Sequence, residues 1–334
     1  MAFPDKPTAH LLGSNGPVHA VAYSASPGTY ILTGSADRTV RLYNPFPSSS
    51  VAEPRKAGVP QGRLIQTYAA HGYEVLSVDV AADNERFVSA GGDRAVFLWD
   101  VSAAVTTRRF GGTAHGHSAR INCVRFAGDG DSLVVSGGFD TTARVWDVRS
   151  RSLKPVQVLG EARDAVTALA VRGAEMVTGS VDGRVRGYDV RMGRCTTDVL
   201  GASVTSLGLT KDGRAALVGT LDSKVRLMDR DSGACLRAYS APGFKNEELR
   251  IQSLLGAREK YVLAGDEMTG DDGGGGSGRI WAWDLLTGKL VAKVEVPWGP
   301  SGNVVSCMAW RDDGWGDQFC VGGTSGVVTV FGAL

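Results

Sequence analysis

The sequence predicts an all-β protein, a seven-bladed β-propeller closed by an N-terminal strand that completes the last blade. Three observations carry that expectation. An aspartate recurs in a tight turn, at Asp37, Asp93, Asp140, Asp182 and Asp222, with spacings of 56, 47, 42 and 40 residues. Six residues after each comes Tyr43, Trp99, Trp146, Tyr188 or Met228, followed by Asn44, Asp100, Asp147, Asp189 or Asp229. The segments between are short, rich in Val, Ile, Thr and Gly, and free of long apolar helical stretches. A base period near 40 residues with several short strands per unit fits four-stranded propeller blades.

The copies run in order. The first is "TGSADRTVRLYN", the second "SAGGDRAVFLWD", the third "SGGFDTTARVWD" and the fourth "TGSVDGRVRGYD". The fifth contains "LDSKVRLMD". Two weaker copies follow: "SGRIWAWD" with Ser277 in the aspartate's place, and "SGVVTVFG" with Ser325 there. Around the second copy, "EVLSVDVA" reads as strand a, "RFVSAG" as strand b, "AVFLWD" as strand c, and "RLIQTYA", ahead of strand a, as an outer strand d. Strands a to c read as apolar runs with small residues, as strands covered on both faces should. The last copy stops after strand c, so "PTAHLLGSNG" near the start is assigned as its fourth strand. That closure removes free sheet edges. The whole chain, 1–334, is read as one propeller with insertions at about 45–62 and 266–278.

These units resemble WD repeats, and the likeness covers nearly the whole chain. In WD repeats four positions form a hydrogen-bonded chain. The resemblance places His71, Ser89, Asp93 and Trp99 there in the second copy, and His117, Ser136, Asp140 and Trp146 in the third. The indole N–H donates to the serine, which meets one histidine nitrogen, while the other donates to the turn aspartate. Each buried polar group then satisfies the next. Other copies keep parts: Thr33, Asp37 and Tyr43 in the first; Thr178, Asp182 and Tyr188 in the fourth.

Composition excludes several classes. A formal charge of +1 gives no electrostatic footprint for nucleic acid or an anionic membrane. Five cysteines with no C-x-x-C spacing argue against a disulfide framework or zinc site. The start, "MAFPDKPTAH", does not read as a signal peptide. No apolar run approaches the roughly 20 residues of a membrane span. A soluble protein in a reducing compartment is the expectation.

Several features imitate chemistry. His71, Ser89 and Asp93 have the composition of a hydrolytic triad, but the set recurs with a Trp at fixed spacing, and no G-x-S-x-G elbow is present. "HGH", His115 to His117, has too few companion ligands for a metal. "GDDGGGGSGR", Gly270 to Arg279, lacks the G-K-[ST] ending of a phosphate loop and the ligand pattern of a calcium loop. It reads as an expanded, flexible turn between strands b and c of the sixth blade, and "PFPSSSVAEPRKAGVPQG", Pro45 to Gly62, as a surface insertion on the opposite rim. The strand-c arginines Arg41, Arg144, Arg184, Arg186 and Arg226 are expected to pair with aspartates of neighbouring turns.

The loops between strands d and a, and between b and c, crowd one rim. Residues there are Tyr73, Glu74, Arg120, Phe139, Arg163, Val181, Arg184 and Leu221. Aromatics and arginines are common interface anchors, which makes this rim the expected protein-binding surface. No catalytic residue, metal or cofactor is assigned, and convergent polar residues at the central channel are not evident in the repeats.

"HGYEVL", "GGDRAVFLWDV", "EARDAV", "GSVDGRVRGYDVRMG" and "LDSKVRLMDRDSG" are similar to the mitogen-activated protein kinase organizer family of WD-repeat proteins. That resemblance implies a non-enzymatic scaffold in pre-mRNA splicing complexes or kinase-cascade assembly, in nucleus and cytoplasm. It would bind spliceosomal or kinase-pathway proteins, not RNA or membrane, as a monomer within a larger complex. The alternative is a substrate receptor of a ubiquitin ligase. A propeller enzyme or small-molecule binder is the third class.

Overall fold

A computed structural model describes residues 3–46, 58–112, 115–189, 192–267, 278–299, 303–311 and 316–332. Most of both insertions lies outside the described residues. The described residues form strands and turns with no helix. Strand β1 (Pro7–Leu11) comes first. Blade 1 is β2 to β5 (Val18–Tyr23, Ile31–Ser35, Val40–Asn44, Arg63–Tyr68). Blade 2 is β6 to β9 (Val75–Val80, Arg86–Gly91, Val96–Asp100, Val105–Phe110). Blade 3 is β10 to β13 (Ile121–Ala127, Leu133–Gly138, Ala143–Asp147, Gln157–Leu159), and blade 4 is β14 to β17 (Val166–Arg172, Glu175–Ser180, Arg184–Asp189, Arg194–Val199). Blade 5 is β18 to β21 (Val204–Leu209, Ala215–Thr220, Lys224–Asp229, Cys235–Tyr239). Blade 6 is β22 to β25 (Ser253–Gly256, Tyr261–Gly265, Gly278–Asp284, Leu290–Val296). Blade 7 is β26 to β28 (Val305–Trp310, Gln318–Gly323, Val328–Gly332), with β1 as its fourth strand.

Each sheet is an antiparallel meander, and the seventh is closed by the other end of the chain. Leu11 pairs with Val328 and Ala9 with Val330. Side chains reinforce that seam: the Thr8 hydroxyl donates to Val330 O at 3.1 Å, and His10 Nδ1 lies 3.0 Å from Thr329 Oγ1.

The core sits between blades. β3, β19, β23 and β27 are buried at each described position, while outer strands such as β17 are mostly exposed. Full burial of an aromatic such as Trp99, Trp146 or Trp283 is worth about 2–3 kcal/mol. Close approach of neighbouring blades explains much of the glycine. A Cβ on Gly137 would stand 2.6 Å from Val166 of blade 4, and one on Gly179 would stand 2.4 Å from Val204 of blade 5.

Candidate functional site

The turn aspartates sit between the second and third strands of blades 1 to 5, each followed by a residue in the left-handed region. Arg38, Arg94, Thr141, Gly183 and Ser223 have φ of 70°, 61°, 65°, 73° and 58°. The aspartate stabilises that bend by accepting the N–H two residues on, as Thr39 does to Asp37 and Arg184 to Asp182.

In blade 2, Trp99 Nε1 donates to Ser89 Oγ at 2.8 Å, Ser89 Oγ lies 2.6 Å from His71 Nε2, and His71 Nδ1 lies 2.6 Å from Asp93 Oδ2. The carboxylate only accepts, so the proton sits on Nδ1 and the serine donates to Nε2. In blade 3, Trp146, Ser136, His117 and Asp140 repeat the chain at 2.9, 2.8 and 2.8 Å. Burial alone would raise the Asp93 and Asp140 carboxyls. Bonds from His71 and Gly72 N–H, and from His117, Ser118 N–H and Thr142, outweigh it and hold both below the ordinary range. Burial pushes His117 down against the upward pull of Asp140.

This geometry disposes of the triad and the chelate. Ser89 is fully buried and its oxygen already accepts the Trp99 N–H, so no electrophile reaches it. Both ring nitrogens of His117 are engaged, and His115 is exposed.

The partial networks assigned to the first and fourth copies do not form. The hydroxyls of Thr33 and Thr178 are buried without a partner among the described residues. The tyrosine oxygen lies beyond where an indole nitrogen would stop. Tyr43 therefore donates to Leu12 O at 2.9 Å, and Tyr188 bonds Glu161. An arginine four residues after the aspartate takes over instead. Arg41 reaches Asp37 at 2.7 Å, Arg186 reaches Asp182 at 2.6 Å, and Arg226 bonds Asp222. These pairs form within one turn, not between neighbouring turns. Arg144 stands 3.5 Å from Asp140 and donates to His115 O and Gly116 O, both at 2.7 Å.

The proposed rim is uneven. Tyr73 is 64% and Phe139 51% exposed. The Arg120 guanidinium lies over the Phe139 ring at 4.9 Å, and Arg120 and Arg163 are exposed. Val181, Arg184 and Leu221 are half-buried, and Glu74 faces His19 at 3.7 Å.

Sequence reasoning missed the channel. Six blades carry a register shift in their innermost strand, at His19, Leu76, Asn122, Thr167, Thr205 and Ser306. A bulge re-aims the extra residue, and five of these six, with Gln252, line one cavity of about 320 Å³. The signal was present in the sequence. Each first strand opens as apolar, variable, small ("VHA", "VLS", "INC", "VTA", "VTS", "IQS", "VSC"), and the middle residue is polar in all but one.

Polar groups near this level also join every pair of adjacent blades. Ser306 donates to Val18 O, His19 faces Glu74, and Ser77 accepts Val124 N–H. Asn122 donates to Val166 O and Thr167 to Val204 O, Ser206 meets Ser253, and Gln252 accepts Met308 N–H. Arg250 crosses the opening from the loop before β22 and donates to Asn122 O at 2.9 Å. Its loop is pinned from behind, because the buried Glu267 carboxylate accepts three successive N–H groups, of Glu247, Glu248 and Leu249.

The family model for the WD domain, G-beta repeat, matches residues 5–44, 62–100 and 108–147. The chain is 38% identical to the human WD repeat domain-containing protein 83, over 92% of this chain and 87% of that protein. The rat protein of the same name is 36% identical over 93% of this chain and 91% of its own length. An uncharacterized WD repeat-containing protein of Schizosaccharomyces pombe is 34% identical, over 89% and 90% respectively. These relatives carry the name WD repeat domain-containing protein 83, which fits the organizer family of WD-repeat proteins that the sequence resembles.

Proposed function

The chain belongs to the WD repeat domain-containing protein 83 family, and from that premise we propose that it is a non-enzymatic scaffold binding other proteins through the rim of Tyr73, Glu74, Arg120, Phe139, Arg163, Val181, Arg184 and Leu221. WD40 propellers are in general interaction platforms without catalysis. The single observation that carries the reading for this rim is two large exposed aromatics, Tyr73 and Phe139, in turns that the ring holds rigid. The narrower proposal places the scaffold in pre-mRNA splicing complexes or in kinase-cascade assembly, in nucleus and cytoplasm. It rests on the sequence resemblance alone.

Affinity purification with mass spectrometry from nuclear and cytoplasmic extracts tests both levels. Spliceosomal or kinase-pathway proteins support the narrower proposal, and cullin components would favour the ubiquitin-ligase alternative. Charge reversal at Arg163 and Arg184 should remove co-purified proteins; if both changes leave every one in place, the assigned rim is wrong.

A further inference from the structure

The channel mouth carries a charge imbalance. Arg120, Arg125 and Arg250 line the same 320 Å³ cavity, with Glu74 as its carboxylate. Among the described residues none of the three arginines is in an ion pair. Arg250 and Arg125 each spend one N–H on a carbonyl, of Asn122 and Val124, which leaves most of each guanidinium fork unused. The Arg120 guanidinium lies over the face of Phe139. Glu74 already faces His19, and the half-buried Asp79 lies within the field of Arg125. Arg125 and Arg120 stand close enough to Arg250 for their like charges to oppose its own. Unpaired like charges crowded into a concave opening are relieved by an incoming anion.

We propose that this mouth is a carboxylate receptor, in which Arg250 and Arg120 grip the side chains of an acidic segment of a partner protein laid across the rim. Two observations favour a polypeptide over a small free anion. Tyr73 and Phe139 stand exposed, and a small anion would leave both rings in water whereas a chain crossing the mouth covers them. The guanidinium fork also suits a planar carboxylate. The pinned loop gives the grip its rigidity, since Glu267 fixes the residues just before Arg250. This inference rests on the scaffold reading and names the partner's chemistry.

The probe is a fluorescein-labelled peptide of alternating Glu and Ala. Its Gln and Lys counterparts, a labelled single-stranded RNA and inorganic phosphate as competitor complete the set, measured by anisotropy on the full chain. The Glu peptide should bind at least tenfold tighter than the Gln or Lys peptide, and should weaken steeply between 0.05 and about 0.5 M NaCl as screening shortens. Arg120→Glu and Arg250→Glu should each lower affinity at least tenfold, while Arg63→Glu on the exposed outer strand β5 leaves it unchanged. Should Arg250→Glu fold poorly by circular dichroism, the exposed Arg120→Glu and the salt series still decide. Equal binding of Glu and Gln peptides, tighter binding of RNA, full displacement by millimolar phosphate, or indifference to both channel substitutions overturns the proposal. A failed peptide assay beside an intact purification rejects the receptor alone; an empty purification rejects the scaffold.

Discussion

Blades 2 and 3 hold the turn aspartate with a histidine from the preceding loop; blades 1, 4 and 5 hold theirs with an arginine from their own third strand. In the histidine blades one chain of bonds runs from the loop through Ser89 or Ser136 to a buried indole, so a loop and two strands are tied at once. In the arginine blades the side-chain to side-chain bonds stay within one hairpin. Ser35 or Thr220 and the arginine both address the aspartate two and four residues away. The loop ahead of blades 1 and 4 reaches the aspartate with a backbone donor, Asn15 N–H or Arg163 N–H, in place of a histidine. The same turn is therefore built by two chemistries, and what varies is how firmly the rim loop is fastened to it.

The largest effect should come from removing what both kinds of blade share. Deleting residues 1–13 strips β1 from β28, leaves β28 as the uncovered outer edge of blade 7, opens the seam that joins the two ends of the chain and removes the buried Ala9 and Leu11. The melting temperature should fall by roughly 10 °C or more, followed by circular dichroism. A melting curve within the scatter of the wild type would mean the ring does not depend on its seam.

Next, His117→Ala leaves Asp140 and Ser136 short of their buried partner and should cost about 2–4 kcal/mol in urea unfolding. Arg186→Ala strands Asp182 in a pair whose side chains are 3% and 9% exposed, and should cost about 2 kcal/mol. Arg226→Ala, in a pair exposed by 15% and 29%, should cost about 1 kcal/mol or less. If Arg226→Ala cost as much as His117→Ala, the two fastenings would be equivalent and the comparison would lose its point.

How much of this was legible follows from what each residue type can reach. Trp at a fixed distance from a turn Asp marked the histidine blades, because an indole has one donor in one place. Tyr in the same register was misread as a weaker Trp. Its hydroxyl bypasses Thr33 or Thr178, and the arginine that replaces the histidine stands at a constant four residues after the aspartate, a spacing that was read as pairing between neighbouring turns. Blade 6 drifted further: Trp281 donates to Asp266 at 2.7 Å, and the Trp283 N–H finds no partner among the described residues. The channel residues left a signal, a polar second residue in all but one of the first strands, but their inward orientation depends on bulges, which a two-residue alternation does not display.

Acid should separate the two chemistries. The folded pKa of His117 lies below its ordinary value, so the unfolded chain takes the proton first. The stability this histidine contributes is thus complete above about pH 6.5 and is lost as pH falls through the folded value. Half-buried His10 and His19 act in the same direction. The depressed turn aspartates, including Asp37, Asp182 and Asp222 of the arginine blades, add a loss only below about pH 4. Urea midpoints should therefore begin to fall between pH 7 and 5.5, and His117→Gln should flatten that early slope while leaving the later one. An unchanged early slope in the variant would remove His117 from the account.

The smallest test concerns the residue after the aspartate. Thr141 sits at φ 65°, whereas blade 4 places Gly183 at φ 73° in the equivalent turn. A side chain in the left-handed region costs about 1–2 kcal/mol, and more when branched at Cβ. Glycine returns about 0.5–1 kcal/mol of that as extra freedom in the unfolded chain. Thr141→Gly should therefore stabilise the protein by roughly 0.5 kcal/mol. The reverse change, Gly183→Thr, should destabilise by more than that. A Cβ there would stand 3.1 Å from Gly201 C in the loop that follows β17, so packing adds to the backbone strain. If both changes were neutral, the bend would be set by the strands on either side, and the turn residue would be along for the ride. If only Thr141→Gly stabilised, the histidine network of blade 3 would be shown to tolerate a strained turn that blade 4 avoids by having glycine.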